Sequence, residues 1–95
     1  MQYITNIFKK IYNYMNNNYE YMNINEFIDD SRFLVRKNNI ILDLSPLLLS
    51  KEFLTHPGGI KIIINSRYKD ITTHYSFHSK IARKKIIKYK IGYII

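Results

Sequence analysis

Glycine and proline are scarce in this chain. Of three glycines and two prolines in 95 residues, three stand together as Pro57-Gly58-Gly59, directly after His56. Proline fixes φ and glycine admits left-handed backbone, so this stretch must carry the sharpest backbone requirement in the fold. Any architecture for the chain has to explain why that requirement sits beside a histidine. The length predicts one domain, with a core small enough that a group filling its middle would help it. There is no cysteine. Disulfides, thiolate metal sites and a cysteine nucleophile are therefore excluded. Apolar runs such as residues 47 to 49 or 62 to 64 fall far short of the ~20 residues a spanning helix needs, and the N-terminus lacks a secretory leader's apolar core and cleavage site.

Charge is divided sharply along the chain. Residues 1 to 56 balance Lys9, Lys10, Arg32, Arg36, Lys37 and Lys51 against Glu20, Glu26, Asp29, Asp30, Asp43 and Glu52. The remaining residues carry nine lysines and arginines against Asp70 alone, so the whole net charge of +8 lies there. Two readings stay open: a solvated basic face, or a surface for an anionic partner.

Residues 3 to 15 place Tyr3, Ile4, Ile7, Phe8, Ile11, Tyr12 and Met15 at helical spacing around Lys9 and Lys10. This predicts an amphipathic helix that packs on the domain, or one that meets a membrane surface or partner. With the Asn16-Asn17-Asn18 linker it makes a segment over residues 1 to 18, and the folded domain is expected over 19 to 95. Asn23 followed three residues later by Glu26 is a capping-box pattern and predicts a short helix from about 24 to 30. Residues 33 to 35 and 40 to 42 are β-prone and flank Lys37-Asn38-Asn39, a hairpin signal. Ser45-Pro46 fits a helix N-cap followed by proline, with Leu47, Leu48 and Leu49 as a buried face. Residues 60 to 64 are β-branched and by propensity read as a strand. Asp70 is expected to begin a short capped helix, and Ser79 another carrying Ile81, Ala82, Ile86 and Tyr89 on one stripe. Gly92 is expected to end that helix, and residues 93 to 95 to close the chain as a strand.

The histidines are His56, His74 and His78. His74 and His78 share a helix face at a spacing of four, but no carboxylate stands between them as in helical zinc sites, and no third ligand is obvious. No serine–histidine–acid set, glycine-rich phosphate loop or paired carboxylates are visible.

His56-Pro57-Gly58-Gly59, preceded by a hairpin and Asp43-Leu44-Ser45, resembles the first haem-ligand motif of the cytochrome b5 family. Asp70-Ile71-Thr72 resembles the start of the following helix in that family. His78-Ser79, with Ala82-Arg83 and Gly92 fourteen residues after the histidine, is similar to its second ligand motif. The resemblance covers about residues 21 to 95. It implies an α+β fold in which a small mixed sheet lies beneath a haem pocket walled by helical hairpins, with the N-terminal helix outside. It also makes residues 60 to 65 helical, against their propensity, and tertiary context overrides a weak propensity.

The same resemblance implies one haem b per chain with His56 and His78 as axial ligands. The iron would be six-coordinate and low-spin, suited to passing single electrons and without an open position for catalysis, so the chain is not expected to be an enzyme by itself. Each histidine would donate its other ring N–H to a backbone carbonyl. Leu44, Leu47, Ile62, Ile63, Tyr75, Phe77 and Ile86 would surround the porphyrin. Pro57, Gly58 and Gly59 would bring the backbone close to its edge, and Ser79 would reach a propionate, with Lys80 or Lys85 as neutralising cations or simply in water.

Several features depart from the common pattern. The loop from Asp43 to His56 is about five residues longer, and Asp70 to His78 about two shorter, which leaves His74 as a rival to His78. Tyr68-Lys69 replaces the usual Gly-Gly, and the ligand-bearing half is basic where familiar members are acidic. The expectation is a monomeric, soluble, cytoplasmic carrier without a C-terminal anchor, docking on an acidic redox partner or an anionic membrane surface. Rival readings are a binding or regulatory module of the same fold without electron transfer, and a basic nucleic-acid-binding domain. Richness in Ile, Asn, Lys and Tyr is what an AT-rich genome produces, such as that of a protist or a large DNA virus; for a virus the compartment would be the host cytoplasm.

Overall fold

The two short apolar runs expected as strands form the middle of the domain. The computed structural model describes residues 18–56 and 59–95; the helix expected over residues 3 to 15, together with Pro57 and Gly58, lies outside the described residues. In chain order the elements are β1 (Glu20–Met22), α1 (Ile24–Asp29), β2 (Leu34–Lys37), β3 (Ile40–Asp43), α2 (Ser45–Leu48), α3 (Lys51–Leu54), α4 (Ile60–Ile64), α5 (Thr72–Ser76), α6 (Lys80–Ile87) and β4 (Lys90–Ile94). The strands make one mixed sheet in the order β1-β4-β3-β2, with β1 parallel to β4 and the other pairs antiparallel. This is an α+β domain.

The β2–β3 hairpin turns at Asn38, whose φ of 53° is one that asparagine tolerates better than most residues. Successive strand side chains point to opposite faces. Leu34 and Ile41 face one way, with Met22 and Phe27, and form a first core with partly buried Tyr68, Ile91 and Ile94. Val35 and Leu42 face the other way, with Leu44, and pack on Leu47, Ile71, Ile86 and Tyr89. All four strand residues are fully buried, which is why these strands read as continuous apolar runs and not as an alternation.

Local signals account for much of the rest. The capping box is present: Asn23 Oδ1 accepts from Glu26 N at 2.9 Å, and Glu26 Oε1 accepts from Asn23 N at 3.1 Å. Ser45, however, does not cap α2. Its hydroxyl accepts from Phe33 N at 3.0 Å, while Asp43 Oδ1 accepts from Ser45 N at 2.9 Å. The loop enlarged relative to the cytochrome b5 pattern is filled by two single helical turns, α2 and α3. Leu49, expected on a buried face, is 92% exposed at the end of α2. Residues 60 to 64 are helical as the resemblance implied, with Ile63 buried. Gly92 does not end a helix; α6 stops at Ile87 and Gly92 lies inside β4, opposite Glu20 on one side and Ile41 on the other.

Residues 68–71 close the open edge of β2. Tyr68 N donates to Leu34 O, Arg36 N to Lys69 O and Ile71 N to Arg36 O, at 2.7, 3.0 and 2.7 Å. Covering an edge in this way removes a template for unwanted pairing. Tyr68 adopts a φ of 63° where the resembled family carries glycine. Its hydroxyl donates to Asp30 O, and its ring packs edge-on against Phe27 at 5.9 Å, contacts that hold an otherwise unfavourable conformation.

Arg32 forks between two carboxylates, with Nη1 2.7 Å from Glu20 Oε2 and Nη2 2.9 Å from Asp30 Oδ2. The guanidinium hydrogen bonds hold the Asp30 carboxyl below the usual carboxylate range, against the opposing effect of burial. A carboxyl whose pKa is lower in the folded chain than in the unfolded one stabilises the fold above the unfolded value of about 3.9, and that contribution disappears as pH falls through the folded value. The urea midpoint should therefore fall more steeply in the wild type than in Asp30→Asn between about pH 5 and about pH 2. Parallel curves would show that Asp30 contributes nothing to acid sensitivity.

Candidate functional site

The second face of the sheet does not end in solvent. A cleft of about 470 Å³ lies beyond it, bounded by residues of α3 and α4 and by residues of α5 and α6. Such a volume falls in the roughly 300–1,000 Å³ range of cofactor-sized pockets. Leu44, Leu47, Ile71 and Ile86 line it and belong also to the second core cluster. Ile62, Ile63, Tyr75, Ala82 and Tyr89 complete an apolar wall, and His56, His74 and His78 reach it as well.

His56 follows α3. Gly59 N donates to His56 O at 3.0 Å, and Gly59 has a φ of 89°. A Cβ at Gly59 would meet nothing within 4 Å. Glycine is needed there for its dihedral, which disfavours any L side chain, and not for space. His78 follows α5, its N donating to Tyr75 O at 3.2 Å. The two imidazole centroids lie 6.1 Å apart, with the ring planes inclined at 45°.

The ring nitrogens differ in their partners. His78 Nδ1 lies 2.7 Å from His74 O. A carbonyl only accepts, so Nδ1 carries the proton and Nε2 keeps its lone pair in the neutral ring. His74, the rival ligand, thus orients His78 through its backbone. His56 Nδ1 is buried with no hydrogen-bond partner, so the carbonyl contact expected at both histidines is present at one. A buried polar atom without a partner costs about 1–3 kcal/mol, which marks this imidazole as incomplete.

Of the residues expected around a cofactor, Leu44, Leu47, Ile62, Ile63, Tyr75 and Ile86 line the cleft beside His56 and His78. Gly59 shapes the His56 turn from outside the lining, and Pro57 and Gly58 are outside the described residues. Phe77 and Ser79 are not on the wall. Phe77 is 80% exposed at the end of α5, and Ser79 Oγ caps α6, accepting from Ala82 N at 3.2 Å. Sequence reasoning missed Ile71, Ala82 and Tyr89 as wall residues. Ala82 and Tyr89 stood on the expected stripe with Ile86, which was the available signal; Ile81, expected on the same stripe, is exposed instead.

Charged groups rim the cleft. Lys85 Nζ lies 3.4 Å from Glu52 Oε1, an ion pair that joins α6 to α3. Lys69, Asn65 and Ser66 add polar groups, and Asp70 pairs with Arg36 at 3.8 Å. Hydrogen bonds from the Thr72 side chain, then its backbone N–H, hold the Asp70 carboxyl below the ordinary range. Lys80, the other cation weighed for a propionate, does not line the cleft.

The arrangement offers an apolar slot, two converging imidazoles and lysines at the rim, which together suit a flat apolar molecule with anionic substituents and a metal that accepts nitrogen. No protein-family model matches the chain, and no curated protein matches it in sequence.

Proposed function

We propose that the chain is a cytochrome b5-like electron-transfer protein whose cleft holds one haem b between His56 and His78. The observation that carries this reading is the spacing of the two imidazoles across an apolar cleft. Two imidazoles on opposite sides of one metal ion, each with a metal–nitrogen distance of about 2 Å, place their ring centroids roughly 6 Å apart. The observed 6.1 Å agrees with that arrangement. The hydrogen bond from His78 Nδ1 leaves Nε2 free as a donor atom toward the cleft, whereas His56 Nδ1 lacks the matching carbonyl partner.

Among the described residues no three of His, Cys, Asp or Glu gather around a common point. His56 and His78 would hold the haem, Leu44, Leu47, Ile63 and Ile86 would exclude water from it, and Lys69 and Lys85 would set the local charge. Bound there, haem would supply a one-electron couple, and the chain's role would be to pass single electrons.

Titration with haem tests the reading. One equivalent should bind, giving a sharp Soret band and, after dithionite, resolved α and β bands. Failure to take up stoichiometric haem would sink the proposal and leave a binding module as the better account of the cleft.

A further inference from the structure

The basic half of the chain is not a uniformly charged surface. Arg67 is turned inward: its Nη2 donates to Ser31 O at 2.7 Å and to Arg32 O at 3.0 Å, and its guanidinium lies over the Tyr68 ring at 4.7 Å. Lys90 is held over the rings of Tyr19 and Tyr93, at 4.8 and 4.3 Å. What remains exposed is concentrated on α6.

At about 100° per residue, Lys80, Lys84, Lys88, Ile81 and Lys85 fall within one arc of roughly 140° on that helix. Each of these five residues is exposed. Ala82 and Ile86, turned the other way, are partly buried against the domain. No acidic residue follows Asp70 in the chain, although Glu52 of α3 pairs with Lys85 at one edge of the arc. In the middle of the lysines Ile81 is 72% exposed, and just before the helix Phe77 is 80% exposed.

We propose that this face of α6 docks on an anionic phospholipid surface, the lysines lying among headgroups and Phe77 and Ile81 entering the interface. Charge complementarity alone would suit an acidic protein equally. The two projecting apolar side chains favour lipid, because an interfacial helix combines a cationic face with aromatic and aliphatic residues that reach below the headgroups. The proposal is independent of the haem. If a haem is present, docking by α6 brings the Lys85 edge of the cleft close to the membrane.

The test uses the full chain and vesicles of phosphatidylcholine with or without phosphatidylserine. The chain should sediment with phosphatidylserine vesicles and not with phosphatidylcholine alone. At about 1 kcal/mol per lysine, the double variant Lys84→Gln, Lys88→Gln should partition about thirtyfold more weakly. The chain has no tryptophan, so Phe77→Trp gives a single reporter whose emission should shift to the blue on binding. Circular dichroism identical to wild type shows that each variant is folded. Equal partition of wild type and the double variant would overturn the proposal, as would an indole emission from the Phe77→Trp variant that stays water-exposed on the vesicles. Binding to polyglutamate with none to phosphatidylserine vesicles would overturn it in favour of an acidic protein.

Discussion

His78→Ala should abolish the low-spin spectrum of the haem-loaded protein and weaken haem binding by more than about 100-fold, while His74→Ala leaves the spectrum in place. Loss of a partner to a ligand typically costs about 10–100-fold, and loss of the ligand itself should exceed that. The contrast follows from how the two histidines are used. His74 lines the cleft, and its carbonyl oxygen accepts from His78 Nδ1 at 2.7 Å. Alanine at 74 keeps that carbonyl. Alanine at 78 removes the ring it orients. His56→Ala should match His78→Ala, since the Gly59 turn would persist with nothing to present. Absorption spectra of the three variants, oxidised and dithionite-reduced, decide the matter. A damaged His74→Ala beside an intact His78→Ala would transfer the second ligand to residue 74.

Gly92→Ala should be the most destabilising single-methyl change among the described residues. A Cβ built at residue 92 would stand 1.8 Å from Glu20 O and 2.6 Å from Glu20 C. Both obstacles are backbone, so no rotamer change relieves them, and β1 must move away from β4. The register Glu20↔Gly92, Tyr21↔Tyr93, Met22↔Ile94 would be lost, and Met22 would leave the first core. A loss upward of roughly 3 kcal/mol is expected, because overpacking here breaks strand pairing as well. For a domain of this size that corresponds to a fall in Tm of roughly 15 °C. The residues of the cleft lie on the other face of the sheet, so haem bound to the folded fraction should keep its spectrum. A Tm within a few degrees of wild type would show that the β1–β4 approach is looser than described.

What could be read beforehand depended on whether a local signal had one meaning. The β2–β3 hairpin was legible because two apolar runs flank Asn38-Asn39, and α1 because its capping box is self-contained. For residues 60 to 64 propensity and resemblance disagreed: four isoleucines favour a strand, the resemblance made them helical, and they are helical, with Ile63 buried and both Ile62 and Ile63 lining the cleft. Gly92 misled because a glycine after an apolar helical stripe serves equally as a helix stop or as the close-approach point of a central strand. Ser45 and Ser79 looked alike, but Ser79 Oγ caps a helix and Ser45 Oγ accepts from Phe33 N across the chain. Phe77 was expected at the pocket from the resemblance to a family whose connection is longer. With only seven residues between Asp70 and His78, the connection is largely taken up by α5, and residue 77 falls on its outer end.

The burial pattern divides the molecule unequally. Among the described residues, Met22, Phe27, Leu34, Val35, Ile41, Leu42 and Leu44 form the buried apolar set of the sheet half, whereas Ile63 alone represents the helical half. Glu52 and Lys85, both well exposed to water, link α3 to α6, and an exposed pair of this kind contributes little. The helices around the cleft therefore have little cohesion of their own. A molecule seated between them would supply it, and by mass action its binding energy would appear as folding energy. Occupancy of the cleft and order of the helical half would then change together: the sheet would persist as a foldon without its guest, and the helices would open well below the temperature of global unfolding.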